Sequence, residues 1–350
     1  MIYDIIIIGT SPLATFEGLY RAQKGERVLM IDKSLKFGGA WKSISLYGIK
    51  NIENAIHYLL PSKTAIKFLK ENLGLRIKKT ENKKTIYKVP FIGNLIFNYD
   101  SFLTRLIKII NKENKGFSDY RNLFLKEKSS LYFKNGTPAL IDCISQMILK
   151  SNINVKMGVE ISKINFNELV TVYSKNGELL KSKKILCSNG SRIQNLYLRG
   201  KLVVVKEKIQ KRPSVHIIIK DNKVSKINQA IFFNNNLIKY THDITKYSTV
   251  KNENFKIFVV ALKHEILENE NIYFQIHEVF KKIGICSPNS EIIRSKWTNV
   301  VLPRLFNEDL EILKKKIGDK FCYLKTESFT HAIDNNYNKW KKIRLNYERE

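Results

Sequence analysis

Three groups of residues near the N-terminus have the types and spacing expected of a dinucleotide site. A turn at residues 9–14 follows an apolar run, Asp32 ends a second apolar run, and the pair Gly38-Gly39 comes shortly after it. Glycine-rich backbone before a helix lets a pyrophosphate approach the helix N-terminus, and an acid about 20 residues further on accepts hydrogen bonds from ribose hydroxyls. The spacing therefore predicts nucleotide binding.

The turn departs from the pattern G-x-G-x-x-G at its second glycine. Gly9 keeps the glycine of the tight turn, and Ala14 is small enough for the helix to pack closely on the strand. Ser11 adds bulk where the phosphate should approach, although its hydroxyl can donate a hydrogen bond. Pro12 suits the first helical turn, where a missing N–H does no harm. The residues predicted to approach the nucleotide here are Gly9, Thr10, Ser11, Pro12, Leu13 and Ala14.

Three elements must hold these residues in place. Residues 3–8 are almost all apolar, which predicts a parallel strand buried on both faces. Apolar residues at helical spacing from Leu13 to Tyr20 predict a helix that ends near Gly25. Residues 28–31 predict a second strand with Asp32 at its tip. We therefore expect a strand–turn–helix–strand unit.

The composition is that of a soluble globular protein, with 43% hydrophobic and 27% charged residues among 350. This length predicts two domains. We find no apolar run of the roughly 18 residues that span a bilayer, and nothing that resembles a signal peptide. Four cysteines without metal-ligand or C-x-x-C spacing indicate a reduced, cytoplasmic setting.

The net charge of +29 raises the question of a polyanionic partner. The excess is mostly lysine spread along the chain, and no RNA-binding motif, zinc finger or arginine-rich arm accompanies it. We therefore expect a generally basic surface and no specific nucleic-acid partner. A positive field would still concentrate phosphorylated or acidic small-molecule substrates near the protein.

The segment Gly38-Gly39-Ala40-Trp41, after Asp32, resembles the FAD-binding superfamily of flavin amine oxidases, protoporphyrinogen oxidases, phytoene desaturases and UDP-galactopyranose mutases. The resemblance implies an α/β fold: a Rossmann-like FAD-binding domain of the glutathione-reductase type, with a second α+β substrate domain inserted. It also implies FAD as the cofactor, with the acid and the glycine pair around its ribityl-pyrophosphate side.

The residues around the glycine pair complete the implied FAD site. Lys33 follows the acid and is included in the site. Ala40 stands where those families often carry an arginine, and Lys42 is the nearby substitute. Trp41 has two equal interpretations, a flavin contact or a core aromatic.

Residues 47–61 resemble the segment that runs along the flavin ring in these families. His57 ends a stretch that stands where the mutases carry Gly-Ala-His beside the isoalloxazine. The resemblance makes His57 the candidate catalytic residue, because an imidazole beside the ring can tune its redox state or move a proton near neutral pH. A buried histidine with a structural role is an equal alternative.

Further similarities follow in the order found in those families. Residues 152–164 resemble the strand whose backbone reads the adenine, with Ile161 at its hydrophobic position. A hairpin with its turn at residues 176–177 comes next. Its last strand ends at Asn189 and Gly190, where the families turn back towards the cofactor.

The C-terminal part of the resemblance is incomplete. These families close the FAD site with Gly-Asp before a helix whose N-terminus faces the flavin. Residues 321–340 are the corresponding segment, but they lack Gly-Asp, and Glu327 is the nearest acid. Ser328 is the predicted N-cap of the helix.

The resemblance also divides the chain into two domains. The predicted FAD-binding domain consists of residues 1–61, 131–200 and 296–350. The predicted substrate domain consists of residues 62–130, expected to be basic and mostly helical, and residues 201–295, expected to be rich in strands.

The function implied is an FAD-dependent oxidoreductase whose flavin takes a hydride from a C–N or C–C bond of a small molecule. Two alternatives stay open: a mutase-like flavoenzyme acting on a nucleotide sugar, and a non-catalytic protein that kept the fold. No metal site is predicted, because the spacing of His264 and His277 fits no known signature. The oligomeric state stays open.

Overall fold

A computed structural model of the chain describes residues 1–55, 57–79, 83–89, 91–98, 101, 103, 131–188, 195–203, 207–222, 227–249, 254–263, 265–305, 307–324 and 328–344. The strands are β1 (Ile2–Ile8), β2 (Val28–Asp32), β3 (Ser43–Leu46), β4 (Ile49–Glu53), β5 (Ile77–Lys79), β6 (Lys83–Val89), β7 (Gly93–Asn98), β8 (Leu131–Phe133), β9 (Asn154–Met157), β10 (Ile161–Phe166), β11 (Val170–Ser174), β12 (Leu179–Ser188), β13 (Leu196–Leu198), β14 (Lys201–Val203), β15 (Glu207–Lys220), β16 (Gln229–Phe233), β17 (Ile238–Asp243), β18 (Phe255–Leu262), β19 (Glu291–Leu305) and β20 (Phe321–Leu324). The α-helices are α1 (Pro12–Ala22), α2 (Lys63–Lys67), α3 (Gly136–Leu149), α4 (Asn271–Lys282), α5 (Asn307–Ile317) and α6 (Phe329–Trp340).

The first sheet is built on parallel strands in the order β9–β2–β1–β12–β20. Strands β1 and β2 are joined by α1, which confirms the unit predicted at the N-terminus. The opposite end of β12 pairs with β11, and β10, β13 and β14 extend that edge. The hairpin between β11 and β12 turns at Gly177, whose φ of +86° suits glycine.

The second sheet has the strand order β19–β15–β18–β17–β16–β6–β7. Its pairings are antiparallel except for β16 with β6, which is parallel. The expectation that residues 62–130 are mostly helical is wrong for residues 77–98, because these residues form β5, β6 and β7. β6 buries one face of the strand in the sheet. This burial outweighs the low strand propensity of its lysines. The helical segment predicted at residues 100–112 lies almost wholly outside the described residues.

The predicted domain boundary at 295/296 falls inside β19, which runs beside β15 to residue 305. Strand β6 comes from the first predicted insertion and pairs with β16 from the second. The two insertions therefore share one sheet. The division of the chain into domains stays a prediction.

Within the described residues, buried apolar side chains form four clusters. One packs α1, α3 and α6 against one face of the first sheet, and a second covers the other face with α5. A third lies between the second sheet and α4. The fourth lies between the second sheet and two separate strand pairs, β3 with β4 and β5 with β8, where Ile52 of β4 and Tyr132 of β8 pack with Ile257 and Val259.

The last helix packs on the first. The rings of Phe16 in α1 and Trp340 in α6 have centroids 5.6 Å apart, and both side chains are fully buried. Glu17, with 1% of its side chain exposed, accepts from Arg21 Nε at 2.8 Å and lies 2.5 Å from Lys339 Nζ. The Trp340 indole N–H donates to the same carboxylate at 3.3 Å. These contacts hold α6 against α1.

No helix among the described residues is long and apolar enough to cross a bilayer. In the same part of the chain, no group of three or more His, Cys, Asp or Glu side chains is arranged to hold a metal ion.

Candidate functional site

The turn at residues 9–14 carries the chain from β1 into α1. Gly9 has a φ of +101°, which glycine adopts without strain, and its N–H donates to the Ile31 carbonyl at 2.7 Å. Ser11 is the N-cap of α1, and its hydroxyl accepts from the Ala14 N–H at 3.4 Å. The Ser11 hydroxyl hydrogen is still available to a ligand oxygen. Pro12 is the first residue of the helix, as expected.

Thr10 joins the turn to the acid at the end of β2. Its N–H and its hydroxyl both donate to Asp32 Oδ2, at 2.9 and 2.7 Å. The other oxygen, Asp32 Oδ1, accepts from the Ser34 N–H at 2.8 Å. Both side chains are buried. The acid expected to hold ribose is therefore also a structural acceptor, and the sequence pattern did not reveal this role of Thr10.

The glycine pair lies directly against the turn. Gly38 and Gly39 have φ values of +108° and +58°, and the Gly38 N–H donates to Thr10 Oγ1 at 3.2 Å. A Cβ atom on Gly39 would lie 3.3 Å from Ser11 Cα, and one on Gly38 would lie 2.9 Å from Ile141 Cδ1. Both glycines are therefore required sterically, and they bring two loops of backbone together beside the N-terminus of α1.

Next to the glycine pair, the candidate site is lined by aromatic rings and no longer by backbone. Trp41 stacks on His57 with centroids 4.0 Å apart and ring planes 11° apart, and Phe329 lies 4.6 Å from Trp41. His57 Nε2 lies 3.3 Å from the Ala40 carbonyl oxygen. The predicted catalytic histidine is thus held in an aromatic stack close to the glycine pair.

The two lysines near the pair have different settings. Lys42 donates to Ser34 Oγ at 2.9 Å, so its ammonium is fixed near the end of β2. Lys33 has an exposed side chain. The first turn of α1 contains no acidic side chain of its own, and the carboxylate beside it, Asp32, is occupied by Thr10 and Ser34. An anion is favoured at this end of the sheet.

The segment predicted to read the adenine forms two strands. β9 ends at Met157, and Ile161 starts β10, where it is half-buried against the cluster under the first sheet. Between them, the Val159 N–H donates to the Asp32 carbonyl at 3.0 Å. Val159 is therefore nearer the acid along the backbone than Ile161 is. A glycine at position 158 was the available signal that the strand is interrupted.

Three predicted site residues, Asn189, Gly190 and Glu327, lie outside the described residues. Ser328 is described, and it is the N-cap of α6, with its hydroxyl accepting from the His331 N–H at 3.2 Å. The C-terminal helix is therefore as predicted.

A buried acid that sequence reasoning missed lies at the end of β4, beside β8 and the second sheet. Glu53 is fully buried; its carboxylate accepts from the Tyr132 hydroxyl and, at 2.8 Å, from the Thr137 N–H. Burial raises its pKa to about 7, even though both hydrogen bonds favour the charged form. A Cβ atom on Gly136 would lie 2.8 Å from Glu53 Oε1, so this glycine admits the carboxylate to the start of α3.

The second sheet is tied to this acid through His216. His216 Nε2 lies 2.8 Å from the Glu53 carbonyl oxygen. Burial lowers the pKa of His216 to about 4, so it is neutral and donates an N–H at physiological pH. Glu53 thereby joins β4, β8 and the start of α3 to the second sheet.

The sequence comparisons match only part of the chain. No protein-family profile matches it. A soluble pyridine nucleotide transhydrogenase from Marinomonas sp. (strain MWYL1) is 22% identical over 190 residues, which are 54% of this chain. The match spans only 31% of that curated relative.

Solved structures match nearly the whole chain in fold. Putrescine oxidase bound to putrescine has a TM-score of 0.68 at 12% identity, with 98% of each chain covered. A protoporphyrinogen oxidase candidate from Exiguobacterium sp. 255-15 has a TM-score of 0.64 at 9% identity, with 97% of this chain and 98% of that chain covered. RAB GDI from Plasmodium falciparum has a TM-score of 0.58 at 14% identity, with 99% of each chain covered. The predicted α/β fold is therefore confirmed as one that these proteins share.

Proposed function

We propose that this chain is an FAD-dependent oxidoreductase of the amine-oxidase-like group that acts on a small molecule. The observation that carries the proposal is the pair of glycine turns, joined through Thr10, at the N-terminus of α1. The fold shared with putrescine oxidase supports it. Bound FAD would supply hydride transfer, which is chemistry that side chains alone do not provide.

The residues present suit the phosphates of a dinucleotide. Backbone N–H groups at a helix N-terminus are the usual donors to a pyrophosphate, and the turn and the glycine pair bring such backbone together without side chains between them. Pro12 removes one of these donors, while the Ser11 hydroxyl adds one. Lys42, fixed near the end of β2, adds positive charge.

Asp32 retains capacity for a ribose hydroxyl. In the structure, Oδ2 accepts two hydrogen bonds and Oδ1 accepts one. Each carboxylate oxygen can accept about two, so Oδ1 has room for one more. Trp41 and His57 would line the site beyond the glycine pair, where an imidazole can hold or move a proton.

The first experiment is the visible absorption of the purified protein between about 350 and 500 nm, before and after adding FAD. Flavin bands that remain with the protein through gel filtration are expected. A protein that stays colourless after FAD is added would contradict the proposal. It would favour the non-catalytic alternative, which the occupied oxygens of Asp32 and the bulk of Ser11 support.

A matched pair of glycine variants locates the site. Gly39→Ala places a methyl group 3.3 Å from Ser11 Cα, so we expect FAD to bind at least about tenfold more weakly. Gly74→Ala has a similar backbone strain, with φ +65° against +58°, but nothing lies within 4 Å of the new methyl group. Equal loss of FAD in both variants would show that strain alone, and not the turn, is responsible.

A further inference from the structure

A row of polar side chains crosses the second sheet. Gln229 on β16 is the register partner of both Lys83 on β6 and His242 on β17, so the three side chains point to one face. Val259, the next partner along, belongs to the cluster between the two sheets. The row therefore faces this cluster, on the side of β4 and β8. Lys83, Gln229 and His242, here called the polar row, are 8%, 3% and 1% exposed.

The polar row contains buried atoms without hydrogen-bond partners. Gln229 Nε2 lies 2.9 Å from His242 Nε2, so the amide N–H donates to the ring and the imidazole proton is on Nδ1. His242 Nδ1, Gln229 Oε1 and Thr85 Oγ1 all lack a partner. Thr85 is two residues along β6 from Lys83 and shares its face. Unpartnered buried polar atoms are costly, so three of them at one place indicate a ligand that supplies the partners.

Aromatic rings cover the polar row on the side of β4 and β8. The centroid of the His242 ring lies 5.9 Å from that of Tyr58 and 4.8 Å from that of Tyr132, which it meets edge to face. Lys83 Nζ lies 4.8 Å from the centroid of the Tyr58 ring. Tyr58 directly follows His57, which stacks on Trp41, and the Tyr58 side chain is partly exposed.

Among the described residues, two cations, Lys83 and Lys246, act on the polar row. Burial, and then the cations of Lys246 and Lys83, lower the pKa of His242 to about 3, so this histidine is neutral. Two buried acids lie nearby, but both are engaged: Glu53 accepts from Tyr132 and Thr137, and Asp243 accepts from Thr245. Burial also raises the pKa of each acid. These surroundings favour an anion and oppose an ammonium group.

We propose that the polar row binds the carboxylate of an organic acid, and that such an acid, rather than an amine, is the substrate class of the flavoenzyme. This inference rests on the function proposed above. Lys83 supplies the charge, while the His242 Nδ1–H and the Thr85 hydroxyl donate to the carboxylate oxygens. Gln229 Oε1 accepts from a hydroxyl or amide N–H of the same ligand, and the apolar part of the ligand packs on Tyr58 and Tyr132.

The test is isothermal titration calorimetry of the purified protein with sodium benzoate and with benzylamine, two probes that differ chiefly in charge. Benzoate is expected to bind at least ten times more tightly than benzylamine. Lys83→Met should weaken benzoate binding at least tenfold. Lys88→Met removes an exposed lysine from the same strand and should leave binding unchanged. Thr85→Val preserves volume in a buried position and should weaken binding several-fold, which keeps the test valid if Lys83→Met does not fold.

Several results would overturn the inference. These are tighter binding of benzylamine, benzoate binding that neither variant weakens, or inorganic phosphate binding as tightly as benzoate, which would indicate a site for simple anions. The calorimetry does not require flavin. Benzoate binding by a colourless protein would contradict the proposed function alone, and a flavin-containing protein that ignores benzoate would contradict the substrate class alone.

Discussion

Asp32 Oδ2 accepts hydrogen bonds from both the N–H and the hydroxyl of Thr10. Thr10 occupies a position of the turn at which the dinucleotide pattern allows any residue. Thr10 Oγ1 in turn accepts from the Gly38 N–H. One buried hydroxyl therefore connects three segments that would converge on the proposed nucleotide. The turn, the acid and the glycine pair are fixed relative to one another before any ligand contributes.

Replacing Thr10 by valine tests this connection. Thr10→Val keeps the side-chain shape but leaves the Gly38 N–H without its acceptor, so we expect a loss of about 1–3 kcal/mol in the free energy of unfolding. Urea denaturation measures it. Thr10→Ser retains the hydroxyl and should lose less. Equal stability of Thr10→Val and the parent protein would mean that the hydroxyl does not hold the segments together.

Glu53 predicts a pH dependence of stability. Its pKa is raised from 4.5 to about 7 in the folded state, so the folded protein binds this proton more tightly than the unfolded chain does. The resulting stabilisation is fully present below about pH 4.5 and is lost as the pH rises to about 7, a change on the order of 3 kcal/mol.

The measurement compares the parent protein with Glu53→Gln in urea at several pH values between about 5 and 8. The variant cannot ionise, so the stability of the parent relative to the variant should fall as the pH rises. His216 and His242 titrate in both proteins, so the difference isolates Glu53. A difference that does not change with pH would show that Glu53 is ionised throughout.

We expect the stability of the fold to depend strongly on the buried carboxylate of Glu17. Removing its carboxylate in Glu17→Ala leaves Lys339 without this partner and the Trp340 N–H without its acceptor, while Arg21 keeps only Glu26. We expect a loss of roughly 3 kcal/mol in the free energy of unfolding. Glu71→Ala breaks a pair with Lys67 in which both side chains are more than half exposed, and it should cost under about 1 kcal/mol. Comparable losses in the two variants would contradict this assignment.

His57 is expected to affect a bound flavin without being needed to bind it. The imidazole stacks on Trp41, and its Nε2 lies near the Ala40 carbonyl oxygen. Both contacts lie outside the turn at residues 9–14. In His57→Leu we expect FAD to be retained while the flavin absorption maxima and reduction potential shift. Photometric reduction titration measures both. Unchanged values would place His57 among structural histidines.

The N-terminal unit could be predicted because its signals are local. The apolar run of β1, the N-cap Ser11 and the glycine that ends α1 each specify their own segment, and the structure confirms them. The hairpin at Gly177 was predictable for the same reason. Such signals depend only on residues that are close together in the sequence.

The parts that sequence reasoning missed depend on pairing across long distances. β6 is rich in lysine and becomes a strand because β16, far along the chain, pairs with it. Glu53 is buried because Tyr132 and the start of α3 close over it. The polar row exists only through register across three strands. None of these partners can be read from a local pattern, since each is set by topology.

The position of β20 and α6 also bears on how the chain is made. A ribosome releases the N-terminus first, so β1, α1 and β2 emerge long before β20 joins β12 and before Trp340 reaches Phe16. Strands β15 to β19 of the second sheet are completed earlier, since they end at residue 305. During synthesis the edge of β12 that receives β20 therefore stays unpaired until residues 321–324 have been translated.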